Sequence, residues 1–74
     1  MIEELKTFIS VVDYKNFTKA AEYLNLSQPS VSTHIKNLEN IFGVTLINRS
    51  IKQKTISITE SGYTLYNRAK EIIR

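Results

Sequence analysis

Seventy-four residues, 42% of them hydrophobic, allow one small domain with a single core. The absence of cysteine excludes a disulfide framework and a thiolate metal site, so the fold must rest on packing or on a partner subunit, as suits a reducing cytoplasm. A net charge of +3 and a pI near 9.3 are a mild pointer to anionic partners, and no apolar run approaches the roughly 20 residues of a membrane span.

The opening "MIEELKTFISVV" carries Glu3, Glu4 and Lys6 among its apolar residues, unlike a secretion signal, so the chain reads as soluble and cytoplasmic. Ile2, Leu5, Phe8, Ile9 and Val12 follow helical spacing and predict a first helix over about residues 2–13. Tyr14 to Asn16 breaks the pattern. Thr18 can cap a short second helix through Ala20, Ala21 and Leu24, whose two alanines let another helix approach closely.

In "LNLSQPSVSTHIKNLE", Asn25 suits the left-handed residue that ends a helix, and Ser27 can cap the next one, with Gln28 and Pro29 in its first turn. Val31, Ile35, Leu38 and Phe42 then recur at intervals of four, three and four, which predicts a third helix with those four facing the core and Gly43 as its C-cap. Ser30, Ser32, Thr33, Lys36, Asn37 and Asn40 fall off that stripe. "VTLINRS" and "TISIT" read as strands of a hairpin with a cationic tip at Ile51 to Lys54. Thr59 caps a final helix on which Gly62, Tyr66, Ala69 and Ile73, flanked by Leu65 and Ile72, form an apolar stripe. The order is α-rich and winged, a mainly α fold with a small β-hairpin.

The third helix has an unusual polar face. Surface helices usually carry Glu and Lys, yet only Lys36 is charged between Glu22 and Glu39. A helix that enters the major groove needs short side chains near its N-terminus, donors and acceptors for base edges, and no carboxylates to repel phosphates. Gln28 can pair with adenine through two hydrogen bonds, and Ser or Thr can serve any base. Between Glu39 and Glu60 the charges are Arg49, Lys52 and Lys54, with no acid among them. A solvated loop would explain a lysine pair, but not the missing acids on the helix.

"FTKAAEYLNLSQPSVS", "IKNLE", "FGVTLINR" and "SITESG" together resemble the N-terminal DNA-binding domain of LysR-type transcriptional regulators, over nearly the whole chain. The resemblance implies a winged helix-turn-helix over residues 1–59, with the helix-turn-helix at about 18–37, a recognition helix at about 28–42 and a wing at about 45–59. Residues 60–74 would begin a linker helix for dimerisation through Leu65, Tyr66, Ala69, Ile72 and Ile73. It further implies base-edge and groove contacts from Gln28, Pro29, Ser30, Ser32 and Thr33, and phosphate contacts from Thr18, Lys36 and Arg49. Lys52 and Lys54 would lie over the backbone or the minor groove. The implied partners are double-stranded DNA, as an interrupted palindrome, and a second copy of the chain; a small-molecule effector would bind only through a domain outside these residues. Two positions depart from the family pattern: Ile47 replaces a usual phenylalanine, which changes packing under the wing, and Thr33 replaces a frequent arginine, which leans the preference towards A·T-rich sites.

Other candidate groups read as structural. His34 has no second ligand beside it, Glu39 serves as a local cap or charge balance, and Tyr63 and Tyr66 are packing residues rather than a stacking platform. No phosphate-cradling glycine loop, metal-ligand cluster or nucleophile with its base is present, so no cofactor and no enzymatic role is expected. The alternative to DNA binding is a protein-interaction module that works through its last helix, with the stripe from Leu65 to Ile73 exposed in a monomer.

Overall fold

The computed structural model describes residues 1–50 and 55–73. Helices α1 (Ile2–Tyr14), α2 (Phe17–Leu24) and α3 (Gln28–Phe42) are followed by strands β1 (Ile47–Ser50) and β2 (Thr55–Ile58) and by helix α4 (Glu60–Ile72). The expected winged order is present, and α1 is its hub, packed against α2, α3 and α4. Among the described residues no helix is long and apolar enough to cross a membrane.

On α1, Leu5, Phe8 and Val12 turn inward as their spacing requires, joined by Val11 and the buried hydroxyl residue Thr7. Ile2 does not join them; it sits at the open end of the helix, about half exposed. The helix stops at Lys15, which takes a left-handed conformation (φ 50°) and donates its N–H to the Val11 carbonyl. α2 begins earlier than expected. Asn16, not Thr18, is its cap: the Asn16 side chain accepts the Lys19 N–H at 2.9 Å, and asparagine is at least as good a cap as threonine. Thr18 is thereby left free for a different partner.

Asn25 ends α2 in the left-handed region (φ 58°), and the Ser27 side chain accepts the Ser30 N–H to start α3. Both follow the sequence expectation. Ala20, Ala21, Val31, Ile35 and Leu38 are buried where α1, α2 and α3 meet. Phe42 departs from its predicted place in that core: it is 46% exposed and, with Val44, lines an open groove against Leu65 and Arg68 of α4. The stripe therefore stops at Leu38, one turn before the helix does.

Gly43 closes α3 in the left-handed region (φ 67°), giving its N–H to the Glu39 carbonyl. The Glu39 carboxylate then accepts the N–H groups of Leu46 at 2.8 Å and Ile47 at 3.3 Å. Those bonds tie the approach to the hairpin back onto α3, so β1 begins at Ile47 rather than Val44. The strands pair antiparallel with Ile47 opposite Ile58 and Arg49 opposite Ile56. Ile56 and Ile58 rest against the core while Thr55 and Ser57 face out, the alternation expected of a half-buried strand.

Thr59 joins wing to helix. Its hydroxyl accepts the Gly62 N–H and lies 2.7 Å from the Thr45 carbonyl, to which it donates, while its own N–H bonds the Leu46 carbonyl. α4 can lie this close to the wing only because residue 62 is glycine: a Cβ there would sit 2.4 Å from the Leu46 carbonyl oxygen and 2.7 Å from Ile58 Cγ2. The α4 stripe is not left exposed as expected. Ala69 is fully buried in the chain's own core, and Leu65, Tyr66 and Ile73 are partly buried against it, because the helix folds back on α1; Ile72 alone of that set is largely exposed, at 69%.

Candidate nucleic-acid interface

The N-terminal residues of α3 stand beside α2 with their polar side chains in solvent. Gln28, Pro29, Thr33 and Lys36 are exposed, while Ser30 and Ser32 are half-buried on the flanks of the helix. Val31, Ile35 and Leu38, all without exposed surface, hold the opposite side against the core and so fix which way this face points. No acidic residue occupies the first turn of α2 or of α3. The positive end of the α3 dipole lies here, with the Ser30 N–H taken up by its Ser27 cap and none present on Pro29.

Two side chains of this face are tied together. The Gln28 amide donates from Nε2 to the Thr18 hydroxyl oxygen, linking the first residue of α3 to the second of α2. Ser27 and Ser30 form a second local pair, with their hydroxyls 2.9 Å apart. Thr33 and Lys36 are exposed and, among the described residues, make no such side-chain bond.

Arg49 reaches the same region from the wing. Its guanidinium carbon stands 4.4 Å from the centre of the Phe17 ring, at the N-terminus of α2, so the charge is held by an aromatic face. The cation is exposed; the ring beneath it is half-buried and packs on the core. Lys52 and Lys54, the other expected wing contacts, lie outside the described residues. Thr18, Gln28 and Arg49 are thus gathered about the first turn of α2, while Lys36 lies further along α3.

Several supporting residues have no clear mark in the apolar spacing of the sequence. Phe17 carries no local signal in the chain that a wing arginine lands on it. Thr7 is 2% exposed and stands with its hydroxyl 2.8 Å from Nδ1 of the half-buried His34, so the histidine braces α3 against α1. Asn16, which the apolar spacing marks only as a break, is a cap that accepts the Lys19 N–H. The signal for it is local, an asparagine three residues before a first-turn N–H that the helix itself leaves free.

Residues 2–63 match the family model described as "Bacterial regulatory helix-turn-helix protein, lysR family". The chain is 61% identical over 69 residues to the HTH-type transcriptional regulator CysL of Bacillus subtilis, an alignment that covers 93% of this chain and 22% of that protein. It is 40% identical over 72 residues to the HTH-type transcriptional regulator CrgA of Neisseria meningitidis serogroup B, covering 97% of this chain and 23% of the relative. The chain therefore spans about a fifth of the length of the curated relatives it matches. Among solved structures, the CbnR_DBD–DNA complex superposes with a TM-score of 0.92 at 33% identity, over 99% of this chain and 82% of that one. The BenM_DBD/catB site 1 DNA complex gives 0.91 at 33% identity, over 99% and 80%. The fold is accordingly the winged helix-turn-helix of those domains.

Proposed function

The chain belongs to the lysR family of bacterial regulatory helix-turn-helix proteins, and on that premise we propose that it binds double-stranded DNA in a sequence-specific manner as part of a transcriptional regulator. The observation that carries this reading is the exposed, acid-free N-terminal part of α3, held in a fixed rotational setting by the buried Val31, Ile35 and Leu38. In a helix-turn-helix the first helix crosses the DNA backbone and the start of the second meets base edges. On this reading Gln28, Pro29, Ser30, Ser32 and Thr33 enter the major groove. Thr18, Lys36 and Arg49 face phosphates, and Lys52 and Lys54 follow the backbone or the minor groove.

With threonine at position 33, the reading favours A·T-rich sites over guanine contacts. Residues 1–59 act as the DNA-binding unit and residues 60–74 begin a dimerising helix, so that a cytoplasmic homodimer meets an interrupted palindrome. A small-molecule effector, if one is used, binds in sequence beyond this stretch. A mobility-shift titration on an A·T-rich interrupted palindrome tests the reading. Gln28→Ala and Thr33→Ala should each relax selectivity, and unchanged selectivity in both would remove the base-reading assignment.

A second reading, a protein-interaction module working through α4, has the exposed Ile72 and the open groove between Phe42, Val44 and Leu65 in its favour. Light scattering with and without DNA separates the two. Association without any DNA binding at low salt would favour the module.

A further inference from the structure

The bond between Gln28 and Thr18 joins a side chain placed to read a base to one placed to touch a phosphate. A glutamine amide has two N–H donors and one carbonyl acceptor, whereas a threonine hydroxyl has a single hydrogen and can also accept. Bidentate recognition of adenine uses the carbonyl oxygen and the N–H beside it. The other N–H is outside that edge and can be given to a neighbour without loss. Donation from Nε2 to Thr18 is therefore compatible with adenine reading.

The direction of this bond depends on where the Thr18 hydrogen goes. In the free protein Thr18 is exposed, and its hydroxyl could equally donate to the Gln28 carbonyl, with the amide turned over. Once the hydroxyl donates to a phosphate oxygen, only its lone pairs face Gln28, and only the N–H side of the amide satisfies them. The turned-over amide would set two acceptors against each other.

Resting on the DNA-binding reading above, we propose that Thr18 is a specificity-determining positioning residue: its contact with the phosphate fixes the orientation of the Gln28 amide and so couples backbone engagement to the choice of base. The threonine touches no base. Its effect on sequence preference passes through Gln28.

The test is selection from a random-sequence duplex pool with the wild-type chain and with Thr18→Ala, Thr18→Val, Thr18→Ser and Gln28→Ala, followed by titration of single-base variants of the enriched site. Thermal melting of each variant reports folding, and valine, with the shape of threonine, serves if alanine perturbs the helix. Gln28→Ala identifies the base pair read by residue 28. Thr18→Ala and Thr18→Val should lower the preference at that same base pair by about tenfold, within the range of one bidentate contact. Thr18→Ser, which keeps the hydroxyl, should retain it. In a Gln28→Ala background Thr18→Ala should lower affinity without further change in preference.

If Thr18→Ala and Thr18→Val weakened every sequence alike and kept the wild-type preference at that base pair, Thr18 would be a phosphate contact only, and the proposal would be overturned while DNA reading stood. A wild-type chain that enriched no sequence would overturn the DNA reading itself, and the proposal with it.

Discussion

The carboxylate of Glu39 accepts the backbone N–H of Leu46 at 2.8 Å, so the last turn of α3 holds the strand that follows it. A second bond, from Ile47, makes the same carboxylate a splint between the recognition helix and the wing. Glu39→Ala leaves both N–H groups without their partner; a well-formed hydrogen bond to a charged group contributes about 1.5–3 kcal/mol, and the shorter of the two dominates. The expected result is a loss of about 2 kcal/mol in chemical denaturation. Glu39→Gln, which keeps a carbonyl acceptor, should lose less than half of that. Equal losses in the two variants would mean that the charge, and not the bonds to β1, matters.

Gly62→Ala should be more damaging than its size suggests. The added Cβ would meet the Leu46 carbonyl at 2.4 Å and Ile58 Cγ2 at 2.7 Å, and the first of these is backbone that cannot rotate aside. Either α4 shifts outward or the hairpin does. Alanine would otherwise favour a helix by about 1 kcal/mol over glycine, so a measured destabilisation of about 1–3 kcal/mol, typical of overpacking, would show the clash outweighing propensity. An unchanged or raised melting temperature would contradict this close approach.

How much of this was legible in the chain depends on how local each signal is. Ser27, Thr59, Asn25 and Gly43 do what their residue types suggest, because caps and left-handed positions are settled within one turn of backbone. Val31, Ile35 and Leu38 could likewise be read from spacing alone. Phe42 could not: periodicity says which side of a helix a residue occupies, but only the length of the neighbouring helices decides whether anything covers that side. Ala69 illustrates the converse, since an apolar stripe on a helix such as α4 can face a second copy or the chain's own core, and here α1 takes it. The candidate site is marked in composition by its missing acids. Its couplings were not, because Thr18 to Gln28 and Phe17 to Arg49 depend on the tertiary placement of separate elements.

Ile72 offers a direct test of dimerisation through α4. It is 69% exposed, whereas Ala69 three residues earlier has no exposed surface, so the two positions separate association from folding. Ile72→Lys should leave the monomer's unfolding free energy within about 0.5 kcal/mol of wild type, as for an ordinary surface substitution. It should shift any dimer seen by analytical ultracentrifugation towards monomer. A dimer unaffected by Ile72→Lys would have to use another face.

Phe17 and Arg49 allow positioning to be separated from charge. The guanidinium lies 4.4 Å from the ring centre, and a cation over an aromatic face at an exposed site gains about 0.5–1 kcal/mol. Arg49→Ala removes the charge; affinity should fall for every DNA sequence, and the slope of log affinity against log salt should flatten by about 0.9 for one lost phosphate contact. Phe17→Leu keeps the apolar packing and the arginine but removes the face that holds it. The guanidinium must then be ordered on binding, which costs about 0.5–1.5 kcal/mol for a long side chain, so affinity should drop severalfold with the salt slope unchanged. The same number of phosphates is still neutralised, only by a less prearranged cation. Filter binding or fluorescence anisotropy over a salt series measures both quantities. A flattened slope in Phe17→Leu would mean that Arg49 no longer reaches the backbone without the ring, making Phe17 a requirement for the contact rather than an aid to it.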